Sequence, residues 1–242
     1  MGRNRGQSKR TIYYGLMVLI ALVILYYGFS IVAPTSNSHS SSGADNSKVS
    51  TNDGMESGDI KLEIFMESQC PDTYDFLKEQ LLPTWPKIQS FVDLKLYPYG
   101  KVRENKNDKT NDYNFQCQHG PTECLVNQMM CCVINRLNND SGLYLPVVLC
   151  LQNSQPSELR KCLLKSTQQL DHDDIHKCAT SEEGQLLHHE AGIATNGLRP
   201  RLFFVPWILI NGKREPQAFD DLTKTLCEKY TGHKKLTFCS RS

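Results

Sequence analysis

A mixed α/β fold interrupted by a helical insertion is what this sequence predicts, on three observations. Short runs of alternating apolar residues stand near both ends of the folded part, 59–242. Helical spacing dominates the stretch between them, about 114–196. That same stretch holds seven of the ten cysteines.

In chain order, Ile60, Leu62, Ile64 and Met66 alternate with Lys61 and Glu63, the period of a half-buried strand. Cys70 follows, then Pro71, which suits the first position of a helix. Tyr74, Leu77 and Leu81 recur at helical spacing, and Pro83 is expected to end the run. Val92, Leu94 and Leu96 mark a second strand. After the insertion, "VPWILINGKREPQAF" offers a strand, an Asn211-Gly212 turn and a return strand. Asp220 to Tyr230 reads as a closing helix with Leu222, Leu226 and Tyr230 on one side. Strand, helix, strand, helical insertion, hairpin and helix form the order of a thioredoxin-like fold. The predicted architecture is therefore thioredoxin-like, with an inserted disulfide-rich helical subdomain.

The segments before it read differently. Residues 1–11 are a basic tail with Arg3, Arg5, Lys9 and Arg10 and no acid. Residues 12–33, "IYYGLMVLIALVILYYGFSIVA", carry no charge and are long enough to cross ~30 Å of hydrocarbon as a helix. Basic residues before this run, and Asp45, Asp53 and Glu56 against Lys48 after it, predict a single-pass membrane protein with a cytosolic N-terminus. The rival reading is a cleaved signal peptide, which would leave the folded part extracellular. Residues 34–58 are Ser/Asn/Gly-rich without an apolar period and read as a flexible stalk.

Lysine plus arginine number 27 against 26 acids, and the basic residues are not massed on any folded segment. That gives no reason to expect a nucleic-acid partner. Ten cysteines point to an oxidising compartment, the secretory or endolysosomal lumen. Asn139-Asp140-Ser141 is a glycosylation sequon in a polar run expected to form a loop.

The chemistry begins at "FMESQCPDTYDFLK". Cys70 sits where a strand gives way to a helix, and the N–H groups and dipole of a helix start stabilise an anion there. The thiolate is the nucleophile of disulfide exchange, so this is a favoured place for it. Asp72 opposes the effect. Thr73 stands one turn on, where a redox pair would carry its second cysteine; it is near enough for its hydroxyl to hydrogen-bond the sulfur, or is an ordinary helix residue, and it cannot close a disulfide. Pro206 heads the later strand, the place of a cis-proline facing the active cysteine.

The run "CQHGPTECLVNQMMCC", Cys117 to Cys132, places eight specified residues at fixed spacing: Cys117, Gln118, His119, Gly120, Glu123, Cys124, Asn127 and Cys132. It resembles the signature of the gamma-interferon-inducible lysosomal thiol reductase family, and "ESQCPD" and "VPWILING" resemble that family in the right order. The resemblance covers about Asp59 to Cys239. It implies a thioredoxin-like enzyme that reduces disulfide-bonded protein substrates, best at acid pH, through Cys-x-x-Cys. Here Thr73 replaces the second cysteine. The expected activity is a monothiol reductase or isomerase: Cys70 attacks, and release comes from outside, with no cofactor other than a small thiol such as glutathione or cysteine. The alternative is a redox-impaired binding or retention protein for partner proteins.

Parity sets the remaining cysteines. Without Cys70 and Cys131, which has no place in the signature, eight remain: Cys117, Cys124, Cys132, Cys150, Cys162, Cys178, Cys227 and Cys239. They make four candidate bridges whose connectivity the sequence leaves open. Cys124 and Cys131 would lie ~10.5 Å apart along a helix axis, beyond the ~7 Å reach of a disulfide. Cys131 is a leftover buried thiol, a link between two copies, or a substitute resolving thiol. No metal site is expected: His172, His176 and Cys178, like His188 and His189, lack paired close ligands. His119 reads as structural.

Overall fold

A computed structural model of the chain describes residues 60–107, 109, 112–167, 169–233 and 235–239. The basic tail, the apolar 12–33 run and the 34–58 stalk lie outside the described residues. Among those described, no helix is long and apolar enough to cross a membrane. The expected single-pass membrane placement, which rested on 12–33, is corrected accordingly.

Strand β1 (Ile60–Met66) leads through a tight turn to α1 (Pro71–Asp75), a π-helical turn (Phe76–Leu81) and α2 (Leu82–Ile88), then β2 (Val92–Pro98). β1 and β2 pair in parallel, Ile60 opposite Val92 and Met66 opposite Pro98. A parallel pair requires a crossover, and the α1–α2 segment supplies it. The helix does not stop at Pro83 as expected. The Leu82 N–H bonds back to the Leu77 carbonyl, a five-residue step. This re-phases the ladder, so that Pro83 falls in the first turn of α2, where a missing N–H costs least.

β5 (Trp207–Ile210) lies antiparallel on the other side of β1, with Phe65 opposite Trp207, and β6 (Lys213–Arg214) completes a sheet of order β2-β1-β5-β6. Asn211 and Gly212 turn the β5–β6 hairpin with φ of 51° and 75°, as a type I′ turn demands. α8 (Leu222–Lys229) closes the fold, its first turn capped by the Asp221 carboxylate on the Lys224 N–H.

The insertion opens on a strand, not a helix. β3 (Arg103–Lys106) and β4 (Tyr113–Gln116) form a separate hairpin. Arg-Glu-Asn-Lys offers no apolar alternation, which is why sequence pattern misses it. Helices follow: α3 (Pro121–Arg136), α4 (Ser141–Leu151), α5 (Leu159–Ser166), α6 (His172–Ala179) and α7 (Glu182–Asn196). The main core joins Ile60, Leu62 and Ile64 of β1 to Leu77 and Leu81 of the crossover and to Val126, Met129 and Val133 of α3. Each such side chain contributes roughly 1.5–3 kcal/mol by leaving water.

His188 of α7 is fully buried against Tyr99 and Phe115, at ring-centroid distances of 5.0 and 4.4 Å, with no hydrogen-bond partner on either ring nitrogen. Burial pushes its pKa down to about 3. As pH falls, the unfolded chain therefore takes up this proton before the folded one does. The neutral imidazole's contribution to stability is present above pH ~6.5 and is lost towards pH 3. Replacing His188→Phe should flatten this dependence: stability lost between neutral and mildly acid pH, measured by urea unfolding, shrinks by on the order of 2 kcal/mol. Parallel pH profiles for the two proteins would refute the assignment.

Candidate active site

Cys70 is held by the end of β1 and the start of α1. Its φ and ψ of −87° and 121° are extended, which makes it the N-cap residue, and Pro71 occupies the first helical position. The Tyr74 N–H donates to its carbonyl at 3.1 Å. The thiol is unbonded and 7 % exposed. Its Sγ–H points at the Val205 carbonyl, 3.7 Å away. Val205 precedes Pro206 through a cis bond at the head of β5, so antiparallel pairing of β1 with β5 brings this loop to the sulfur.

Pro71 and Asp72 are exposed, and Thr73 is fully buried. The Thr73 hydroxyl has no hydrogen-bond partner. The hydroxyl–sulfur bond that the spacing allows is therefore not formed.

The signature run builds the support under Cys70. The Asn127 Oδ1 accepts the buried Ser68 N–H at 2.9 Å, and the Ser68 hydroxyl donates to the Glu123 carbonyl at 3.2 Å. Just past the end of α4, the Gln152 Nε2 donates to the carbonyls of Glu67 at 2.7 Å and Cys70 at 3.3 Å. The Asn153 N–H donates to the Ser68 carbonyl at 2.7 Å. The turn 67–70 thus has its peptide groups paired from two helices that lie far along the chain. An unpaired buried amide costs roughly 1–3 kcal/mol, so these bonds fix the turn strongly.

The family described as "Gamma interferon inducible lysosomal thiol reductase (GILT)" matches residues 61–182, which span Cys70 and the whole signature. The chain belongs to that family. A GILT-like protein of Caenorhabditis elegans is 40% identical over 172 residues, 70% of this chain; the chain spans only about half, 52%, of that relative's length. A gamma-interferon-inducible lysosomal thiol reductase of Carassius auratus is 33% identical over 181 residues, covering 72% of this chain and 70% of the relative. Among solved structures, Chlamydia trachomatis DsbA superposes with a TM-score of 0.53 at 14% identity, over 70% of this chain and 84% of that one. That likeness is one of fold, and the fold is thioredoxin-like of the DsbA kind.

In this GILT-family chain the eight remaining cysteines pair as Cys117–Cys124, Cys132–Cys178, Cys150–Cys162 and Cys227–Cys239. Cys131 is free and buried beside Tyr99, Val102 and Ala191, its Sγ–H on the Pro98 carbonyl at 3.7 Å. Burial, with Glu190 nearby, pushes its pKa up to about 12. A thiol held protonated in this way is a poor nucleophile. Cys178, taken up by Cys132, leaves no His172–His176–Cys178 set, and His189 pairs with Glu104 at 2.9 Å. Asn139 is exposed between α3 and α4, with φ of 59°.

Glu67 escaped the sequence reading, because an acid after an alternating strand looks like a solvated strand end. It is fully buried instead. So is Glu123, whose carboxylate takes the His119 Nδ1–H at 2.5 Å. Phe203 and Phe204, also unread, stand exposed just before Val205. The Arg214 guanidinium lies over the Trp207 ring at 3.9 Å and the Phe203 ring at 5.1 Å.

Proposed function

We propose that this chain is a protein-disulfide reductase working with a single active thiol, Cys70. Membership of the GILT family and a DsbA-like fold support thiol–disulfide oxidoreductase chemistry. The observation that carries the monothiol reading is the unbonded Cys70 at the β1–α1 turn, with a buried threonine one helical turn away. Four disulfides fit work in an oxidising compartment. In such a compartment Asn139, exposed in its turn, would carry the glycan.

The deprotonated Cys70 sulfur attacks one sulfur of a substrate disulfide. A mixed disulfide forms, and the other substrate sulfur leaves as a thiolate and takes up a proton. The Val205–Pro206 loop beside the sulfur aligns an extended substrate strand. A small thiol then attacks the mixed disulfide and frees the second substrate thiol, and another regenerates Cys70. The net change is one protein disulfide reduced for two small thiols oxidised to their disulfide. The raised pKa of Cys131 argues against its serving as the resolving thiol.

A disulfide-bonded test protein incubated with the full chain should be reduced only when glutathione or cysteine is present, at acid and at neutral pH. The rate should rise in proportion to the small thiol, and Cys70→Ser should reduce it to the uncatalysed level. A second reading draws on exposed Phe203, at 65 %, and Phe204, at 37 %, beside the Cys70 loop: non-covalent capture of partner chains. On that reading Cys70→Ser retains partner binding under reducing conditions and no reduction is seen with either protein.

A further inference from the structure

Behind the active turn, three side chains from distant parts of the sequence converge: Glu67 at the end of β1, His119 in the loop before α3, and Glu123 in the first turn of α3. Their candidate ligand atoms all lie within 4.8 Å of one another. Both glutamates are completely buried, and the His119 side chain, 35 % exposed, faces the way in. The Glu67 Oε2 accepts the Lys101 N–H at 3.0 Å. Its Oε1 is buried without a hydrogen-bond partner. The nearest basic nitrogens stand off from that oxygen, His119 Nδ1 at 3.7 Å and Lys101 Nζ at 3.9 Å.

Two buried carboxylates with one orphaned oxygen are costly to keep unless a positive charge bonds that oxygen directly, and Lys101 at 3.9 Å does not. We propose that Glu67, His119 and Glu123 form a three-ligand site for zinc. Tetrahedral zinc with bonds of about 2.0–2.2 Å holds its ligand atoms about 3.4 Å apart. The His119 Nδ1–Glu67 Oε1 separation of 3.7 Å is already close to that edge. The His119 Nδ1–Glu123 Oε2 pair, at 2.5 Å, opens by under an ångström as the metal takes the place of the hydrogen bond. Lys101, whose side chain is one-third exposed, swings outward as its charge is displaced. One nitrogen, two oxygens and an open fourth position make a ligand set that zinc accepts. A cation here ties the turn bearing Cys70 to the signature loop, since the Glu67 carbonyl receives the Cys70 N–H at 3.4 Å. The site does not depend on the thiol reading, and its test does not use enzymatic activity.

The test is zinc titration by calorimetry of the full chain carrying Cys70→Ser and Cys131→Ser, so that no free thiol competes. One zinc per chain is expected, with an X-ray absorption signature of nitrogen and oxygen ligands and no sulfur. His119→Ala, at the partly exposed member, keeps the fold by circular dichroism and weakens binding about tenfold or more. Glu67→Gln, if it folds, does the same. Absence of saturable binding, or unchanged affinity in folded His119→Ala protein, overturns the proposal.

Discussion

Thr73→Cys is expected to make release of substrate from the Cys70 mixed disulfide independent of added thiol. Residues three apart on a helix have Cα atoms about 5 Å apart, inside the disulfide range. The introduced thiol therefore sits one turn from the sulfur it must attack, and resolution becomes intramolecular. Well-oriented intramolecular partners act at effective concentrations far above any small thiol, so release should speed up about tenfold or more at millimolar glutathione. The fold should tolerate the change. Thr73 is fully buried and its hydroxyl is unpaired. Removing an orphan buried hydroxyl recovers about 1–3 kcal/mol, which offsets the lost methyl, worth about 1 kcal/mol. Single-turnover release from a preformed mixed disulfide is the measurement, with Thr73→Ser as the control that loses the methyl and gains no thiol. Equal thiol dependence in all three proteins would show that a thiol at position 73 cannot reach the mixed disulfide, and release from the unchanged chain without added thiol would overturn the monothiol account.

Much of the scaffold is legible in the chain because its signals are local. β1 and β2 announce themselves by period two, the β5–β6 hairpin by Asn211-Gly212, and α8 by Leu222 and Leu226. β3 is invisible, since its four residues are polar and only its partner strand gives it shape. The helix through Pro83 is misread because a π-helical step has no signature in apolar spacing. At the site, Cys70 and the signature run can be found by motif, but what the signature does cannot. Asn127 and Glu123 act on Ser68, 59 and 55 residues away. Glu67 acquires its meaning only when Lys101 and His119 fold over it. Spacing places Thr73 one helical turn from Cys70, but whether its hydroxyl bonds the sulfur is settled by packing, and it does not.

The largest effect on stability should come from removing one bridge, Cys132–Cys178. It closes 46 residues of chain, against 7 for Cys117–Cys124 and 12 for each of the other two. Loop-closure entropy ranks them accordingly: about 4 kcal/mol for the long loop and about 2.5–3 kcal/mol for the short ones. Both sulfurs are buried, so the double substitution Cys132→Ala/Cys178→Ala also forfeits packing between α3 and α6. Arg136, one turn further along α3, reaches Asp174 of α6 at 2.8 Å and Glu183 of α7. Those carboxylates are about half exposed, and such pairs contribute at most about 1 kcal/mol, too little to hold the seam alone. A fall in melting temperature of about 10 °C is expected, larger than for Cys227→Ala/Cys239→Ala. The consequence should reach the active turn, because α3 also carries Asn127 and Glu123, which hold Ser68 in place. Hydrogen exchange at the Ser68 amide should therefore quicken in the Cys132→Ala/Cys178→Ala protein and stay unchanged in the Cys227→Ala/Cys239→Ala protein. Equal protection in both would mean that α3 is held to the turn by core packing, and that the long bridge stabilises only by restricting the unfolded chain.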